Sequence, residues 1–374
     1  MISTDIDTLV IGGGVVGMSI AYGLSKAGER VLVLDEGDDA FRAARGNFGL
    51  VWVQGKGEER PDYARWSMAS VLRWSSFAQE LTAANGIDLE LQQIGGLQFF
   101  LDEDELRAYV RKLENLRAAV GDYPFEVLDP VALKQLSPHI GPEVVGAVYG
   151  PRDGHVSPLR LLRSLVQRFH TLGGILRNGV RCEQIVHRAD RFHVQAGGKE
   201  YVAGKLVLAA GLGNRTLGPM VGLHAPVAPN RGQVLVTERM QPFLRHPSGH
   251  VRQTGEGVVQ IGDSKEDVGF DDRTSIDQLA HIAHRARKYF PLLDGANVVR
   301  TWGALRVMTP DGFPIYEESR QCPGAFLVTC HSGITLAAMH AGPLADWIRG
   351  AAEPAAISTF KAERFHVQVH ADGQ

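Results

Sequence analysis

The chain has 374 residues and is 44% hydrophobic, enough apolar surface for a sizeable core shared between two lobes. Its 39 basic residues nearly balance 42 acidic ones, so no global field draws it to nucleic acid or anionic lipid, and a small-molecule substrate is expected. Three cysteines, Cys182, Cys322 and Cys330, stand in no CxxC spacing, which argues against a disulfide framework, a zinc site or an iron–sulfur site and points to the reducing cytoplasm.

The first informative stretch is TLVIGGGVVGMSIAYGLSKAGERVLVLDEG. Its apolar run follows Asp5 and Asp7, where a signal peptide would carry Lys or Arg, and glycines interrupt it, so neither a leader nor a transmembrane span is read here. Thr8 to Ile11 reads as a buried strand, Val15 to Ala27 as a helix stopped by Gly28, and Arg30 to Leu34 as a second buried strand. In such a βαβ unit Gly12 makes the tight turn, Gly14 lets the backbone approach a pyrophosphate, and Gly17 lets helix and strand pack closely. The anion sits on free amides at the helix start, at Val15 and Val16. Asp35, about 18 positions beyond Gly17, closes the second strand where a ribose hydroxyl is held, with Glu36 beside it. These parts together predict a dinucleotide site.

A nicotinamide dehydrogenase would continue directly with strand and helix alternation. Instead the small-residue loop RAARGNFGLVWVQGKG follows, then a helix from Asp62 to Ala84. Short strands at Leu97–Leu101, Gln233–Thr237 and Val258–Gly262 suit a mixed or antiparallel sheet, and a further glycine-bounded strand begins at Lys205. Near the end, Arg306 precedes a turn set by Thr309, Pro310, Asp311 and Gly312. A guanidinium there can clamp a carboxylate bidentately, or form a surface salt bridge. The strand Ala325–Thr329 then enters a loop and a helix, Ile334 to Arg349. Amides of Gly333, Ile334 and Thr335 at that helix start suit a developing anion, or an ordinary cap built on Ser332 or Thr335.

The βαβ unit, DGHVSPLRLLRSL, KLVLAAGLGNRTL, APVAPNRGQVLVTE, GVVQIGDSKEDVGFD, TWGALRVMTPDGFPIYE and CHSGITLAAMHAGPLADWI follow one another along the chain. In that order they resemble the D-amino-acid oxidase, glycine oxidase and sarcosine oxidase superfamily of FAD-dependent oxidoreductases. GNFGLVWVQGKG and CHSGITLA look most like the flavin-bearing beta subunits of bacterial opine, hydroxyproline and proline dehydrogenases and of hydrogen cyanide synthase.

The resemblance implies an α/β fold with a discontinuous Rossmann-like FAD-binding domain, residues 1–85, 150–222 and 300–374. A second α+β substrate domain on a mixed or antiparallel sheet takes 86–149 and 223–299. It places Arg45, Gly46, Asn47, Gly49 and Leu50 in a second FAD loop and adds Val180, Ala210, Gly211, Arg306, Ser332, Gly333, Ile334 and Thr335 to the cofactor set. Arg306, Arg252, Gln253 and His331 are the implied substrate-binding residues. Ala304 stands where some relatives attach flavin through cysteine, so FAD is expected to be non-covalent.

The implied reaction is oxidation of the C–N bond of an amino acid, imino acid or opine by hydride transfer to FAD, with no obligatory base. Electrons would pass to a larger partner subunit carrying a further redox cofactor. A self-sufficient, peroxide-forming oxidase and a flavin-bearing electron-transfer subunit remain open alternatives. An enzyme acting on an RNA base is disfavoured by the balanced charge.

Overall fold

The computed structural model describes residues 6–37 and 43–365. β1 (Ile6–Ile11) and β2 (Val31–Asp35) are parallel neighbours in an eight-stranded sheet. β1 also pairs in parallel with Lys199–Leu208, that strand with Ala325–Thr329, and β2 with Ile175–Asn178. All five residues of β2 and of Ala325–Thr329 are buried, as helices on both faces of a parallel sheet require. Antiparallel additions follow: Ile315–Glu318 at one edge, and Arg191–Ala196 with Cys182–Arg188 off the Lys199–Leu208 strand. Parallel direction brings the carboxyl ends of β1, β2, Lys199–Leu208 and Ala325–Thr329 to one rim, where α/β sheets place their ligands.

α1 (Val15–Lys26) leaves β1 through Gly12, whose φ of 111° only glycine holds without strain. Along α1, Gly23 allows the final helix to approach: a Cβ there would lie 2.3 Å from the Ala341 carbonyl oxygen and 2.8 Å from the Ala345 Cβ. That final helix corrects an expectation. Residues 331–336 form a turn, and the helix begins at Ala337, not Ile334. It runs as α-helix to Met339, as π-helix over His340–Leu344 with Pro343 inside, and as α-helix again over Ala345–Arg349. The apolar spacing satisfies an α-helix, whereas Pro343 has no amide to donate, and the wider π turn accommodates the missing bond.

The remaining strands are antiparallel. Ala228–Arg239 is paired with Val298–Met308 on one side and with Val258–Ile261 on the other, and Val251–Gln253 completes a four-stranded sheet. Residue 300, an expected domain boundary, falls inside one of these strands. Gly96–Phe100, Glu126–Leu128 and Gly146–Gly150 make a three-stranded sheet. The helix expected at Asp62–Ala84 spans Pro61–Asn85, with proline in its first turn and Gly86 left-handed at its end. Its Ser70 Oγ and Trp74 Nε1 donate to the Thr335 carbonyl at 2.6 and 2.9 Å. This long helix therefore holds the turn that follows Ala325–Thr329. Among the described residues no helix is long and apolar enough to cross a membrane.

Candidate functional site

A cavity of about 1020 Å³ opens along the rim of parallel strand ends. Its described lining starts at Gly12, Gly14, Val15 and Val16, reaches Asp35 and Glu36 at the end of β2, and takes in Arg45 and Asn47. Val180, Ala210 and Gly211 line it further along, and Cys330, His331, Gly333 and Ile334 close it after the last strand. Sequence-predicted residues from six separated segments thus meet in one elongated space. Gly17, Gly46, Gly49, Leu50, Ser332, Thr335, Arg252, Gln253 and Arg306 are not part of that lining.

The three motif glycines owe their identity to different neighbours. A Cβ on Gly17 would lie 1.9 Å from the Gly12 carbonyl oxygen, and one on Gly12 2.3 Å from that of Ala209. Both contacts are internal to the protein. Gly14 differs: its backbone is extended (φ −73°, ψ 179°), and a Cβ there would meet only the Ala44 Cβ at 3.9 Å. Among the described residues nothing excludes a side chain from the space above Gly14. A ligand that presses on the backbone explains the glycine, as the pyrophosphate of a dinucleotide does. Asp35 accepts from the amides of Gly13 at 2.6 Å and Gly37 at 2.9 Å, which fixes its carboxylate beside the glycine turn where it lines the cavity. The long space, the glycine cradle and the acidic residue at its far end fit FAD.

At the other end, the turn after Ala325–Thr329 presents unspent amides. The first backbone bond across it runs from Leu336 to the Ser332 carbonyl at 3.0 Å; among the described residues the amides of Gly333, Ile334 and Thr335 donate to no protein acceptor. Lys56 Nζ donates to Ser332 Oγ at 2.7 Å and Thr335 Oγ1 at 3.2 Å, and Tyr63 OH to Ser332 Oγ at 2.9 Å. Thr335 Oγ1 in turn accepts from the Trp52 amide at 3.2 Å. Burial lowers the Lys56 pKa to about 8, opposed by the charge of Asp153. Asp153 accepts from the Val53 amide at 2.6 Å and Gln54 Nε2 at 3.1 Å, and burial raises its pKa to about 7. His331, lowered to about 3 by burial and then by Lys56 and Arg306, is neutral at physiological pH.

The substrate candidates divide. Arg306 is not a bare clamp: Nη2 pairs with Asp263 Oδ2 at 2.8 Å, and Nη1 donates to Asn230 Oδ1 and the Arg231 carbonyl at 3.0 and 3.1 Å. Both members of that pair remain part-exposed, 19% and 30%. Arg252 is buried, with Nη1 on His155 Nδ1 at 3.0 Å and the Val156 carbonyl at 3.3 Å, and Nε on Gln260 Oε1 at 2.9 Å. A donated proton at Nδ1 leaves His155 Nε2 to carry the hydrogen toward Gln92 Oε1, 3.2 Å away. Burial and the Arg252 charge keep His155 neutral, its pKa near 3. Gln253 spends its amide on the Phe243 and Leu244 amides and the Met240, Gln241 and Gly257 carbonyls. It ties a surface turn together and has no group left for a substrate.

This geometry is that of a family with a name. Residues 7–347 match the DAO family, described as FAD dependent oxidoreductase. The chain belongs to that family. It is an FAD-dependent oxidoreductase of α/β fold, and its relatives carry matching names. It is 44% identical over 366 residues to the opine oxidase subunit designated B in Agrobacterium tumefaciens (strain Ach5), covering 97% of this chain and 99% of that one. It is 27% identical to hydrogen cyanide synthase subunit HcnC of Pseudomonas protegens, covering 96% of each. The crystal structure of glycine oxidase from Geobacillus kaustophilus superposes with a TM-score of 0.89 at 24% identity over 96% of this chain and 98% of that one, a likeness of fold.

Sequence reasoning missed Lys56, Asp153, His155 and Asp263. Lys56 meets Ser332 across 276 residues, and nothing in local spacing announces such a contact. Asp263 had one available signal, an acidic residue in GDSKEDVGFD two strands from an arginine of the same antiparallel sheet.

Proposed function

We propose that this chain oxidises the C–N bond of an amino acid, imino acid or opine and delivers the electrons to a larger partner subunit. The supporting observation is near end-to-end likeness to a subunit of opine oxidase, joined to a dinucleotide cavity that ends at neutral His331, which lies within electrostatic reach of Arg306 and Asp263. FAD, held without a covalent bond, supplies a hydride acceptor at N5.

In this reading Gly14, Val15, Val16, Arg45 and Asn47 receive the pyrophosphate, and Asp35 the ribose. Val180, Ala210 and Gly211 flank the adenosine end, and Gly333 with Ile334 meets the pyrimidine edge. Arg306 holds the substrate carboxylate, which shares or displaces the place of Asp263 Oδ2. Neutral His331 adds no charge beside the substrate nitrogen, and its unprotonated imidazole nitrogen can accept a hydrogen bond from the amine. The domain division follows the sheets: residues 1–85 and 150–222 with the last strands and helix carry the cofactor, and the antiparallel sheets roof the substrate.

The test is anaerobic mixing of the purified yellow protein with amino acids, proline derivatives and opines. Loss of the oxidised flavin absorbance with one class identifies the substrate. No bleaching by any amine, with normal bleaching by dithionite, would leave an electron-transfer subunit in place of an amine dehydrogenase.

A further inference from the structure

Lys56 presents a charge that neither the sequence motifs nor the proposed chemistry has used. Part of the residue is exposed, yet its ammonium end lies among Ser332, Thr335 and the packed side chain of Tyr63. Among the described residues its hydrogen-bond partners are two hydroxyls, and it forms no ion pair. Asp153 lies within electrostatic reach, but that carboxyl is engaged by Val53 and Gln54 and, with its raised pKa, offsets the ammonium incompletely. Of the other titratable groups against it, Cys330 and Tyr63 are pushed up by burial and stay neutral, Cys330 to about 12, and His331, held down to about 3 by burial and by Lys56 itself, is neutral as well. A neutral donor could bridge two hydroxyls without the cost of desolvating a charge. The ammonium therefore adds something a bridge alone does not need.

We propose that Lys56 is a positioning residue for the flavin's pyrimidine edge, fixing the amides of Gly333 and Ile334 through Ser332 and Thr335 and setting a positive charge behind them. This rests on the reading that the turn meets that edge. A hydride brings two electrons and one proton to the cofactor, so reduction leaves one net negative charge on the ring, and preorganised donors and a cation behind them favour it. The two hydroxyls make the link geometric as well as electrostatic: Thr335 Oγ1 also receives the Trp52 amide, and the Thr335 carbonyl receives Ser70 and Trp74. Displacing the ammonium would release one side of a turn otherwise pinned from the other.

Sulfite provides a probe independent of turnover. Its lone pair forms an S–N bond at flavin N5, nothing leaves, and the adduct carries its negative charge on the same ring edge. The FAD-loaded protein and its Lys56→Met and Lys56→Arg variants are titrated with sulfite, and their two-electron potentials are measured. Lys56→Met is expected to retain FAD and to raise the sulfite Kd at least tenfold, equivalent to a potential about 30 mV lower, with Lys56→Arg recovering most of the loss. Wild-type affinity should itself weaken as pH rises through about 8, where the folded lysine loses its proton, and should be unaffected by that step in Lys56→Met. Should Lys56→Met fail to hold FAD, the wild-type pH profile alone decides, and a flat profile overturns the proposal. Equal affinity and potential in Lys56→Met and wild type also overturn it, as does Lys56→Arg matching Lys56→Met. A wild-type protein that forms no adduct and has the potential of free FAD removes the underlying reading of the turn instead.

Discussion

Gly14 and Gly17 are three residues apart, and substituting them should fail in different ways. Gly14→Val places a side chain where only a ligand competes, so the apoprotein should fold with near-normal thermal unfolding and bind no FAD. Gly17→Val drives a side chain into the Gly12 carbonyl and should lower stability before any ligand is added. Flavin absorbance and thermal unfolding of the same preparations separate the two. Asp35→Ala should weaken FAD binding by about 1.5–3 kcal/mol, the range for a hydrogen bond to a charged group. For Arg306, substitution by lysine loses the planar fork and should raise KM for the amino-acid substrate far more than it changes FAD content. Asp263→Asn should do the opposite and lower KM, because the substrate carboxylate no longer competes with an ion-paired aspartate. A KM unchanged by both substitutions would make the pair purely structural. Asp153 carries a pH signature. Its folded pKa of about 7 lies above its ordinary value near 3.8, so the folded state holds the extra proton between them and stability falls as pH rises through that window. Gln54 Oε1 is buried without a partner, and an amide at position 153 can donate to it after Gln54 turns over. Asp153→Asn should accordingly flatten the pH dependence between about 4 and 7 and unfold no earlier than wild type at about pH 8, read from urea midpoints at several pH values.

At the scale of elements, the contact between α1 and the final helix depends on Gly23. Gly23→Leu overpacks against Ala341 and Ala345, a class of change that costs about 1–3 kcal/mol, and should lower the unfolding midpoint while leaving FAD stoichiometry intact at low temperature. The same two helices show what is legible in the sequence and what is not. β1, α1 and β2 can be read to within two residues because each is specified locally, by an apolar run, a helical spacing and a glycine at the turn. The strand Ala325–Thr329 is legible for the same reason. The final helix is not: alanine, leucine, isoleucine and tryptophan fall at α spacing, and the π segment depends on how Pro343 is accommodated against α1. In the site, residues held by the βαβ motif and its strand ends are those the sequence predicts, and apart from Gly17, Ser332 and Thr335 they line the cavity. Arg306 stands out as a residue, but its engagement by Asp263 does not, since the two meet only through strands that pair across the antiparallel sheet. Lys56 and Ser332 meet only because the long helix Pro61–Asn85 carries one segment onto the turn that holds the other.

At the scale of the whole molecule, the electrons gained from substrate must leave. The chain has three cysteines, of which Cys182 and Cys330 are buried with thiols pushed up to about 12, a poor basis for a redox relay of its own. The relatives from opine oxidase and from hydrogen cyanide synthase are both named as subunits, which favours an acceptor on another chain. The cavity also has an apolar residue at its rim: Phe270 lines it and is 58% exposed. A partner seated over that rim would bury Phe270 and bring its own cofactor toward the flavin. The expectation is that the isolated, substrate-reduced chain reoxidises slowly in air-saturated buffer and quickly with an artificial dye, and that adding the partner subunit replaces the dye. Stopped-flow absorbance gives both rates directly. If reoxidation by oxygen keeps pace with turnover and yields one peroxide per substrate, the electrons need no second chain, and the protein is an oxidase complete in itself.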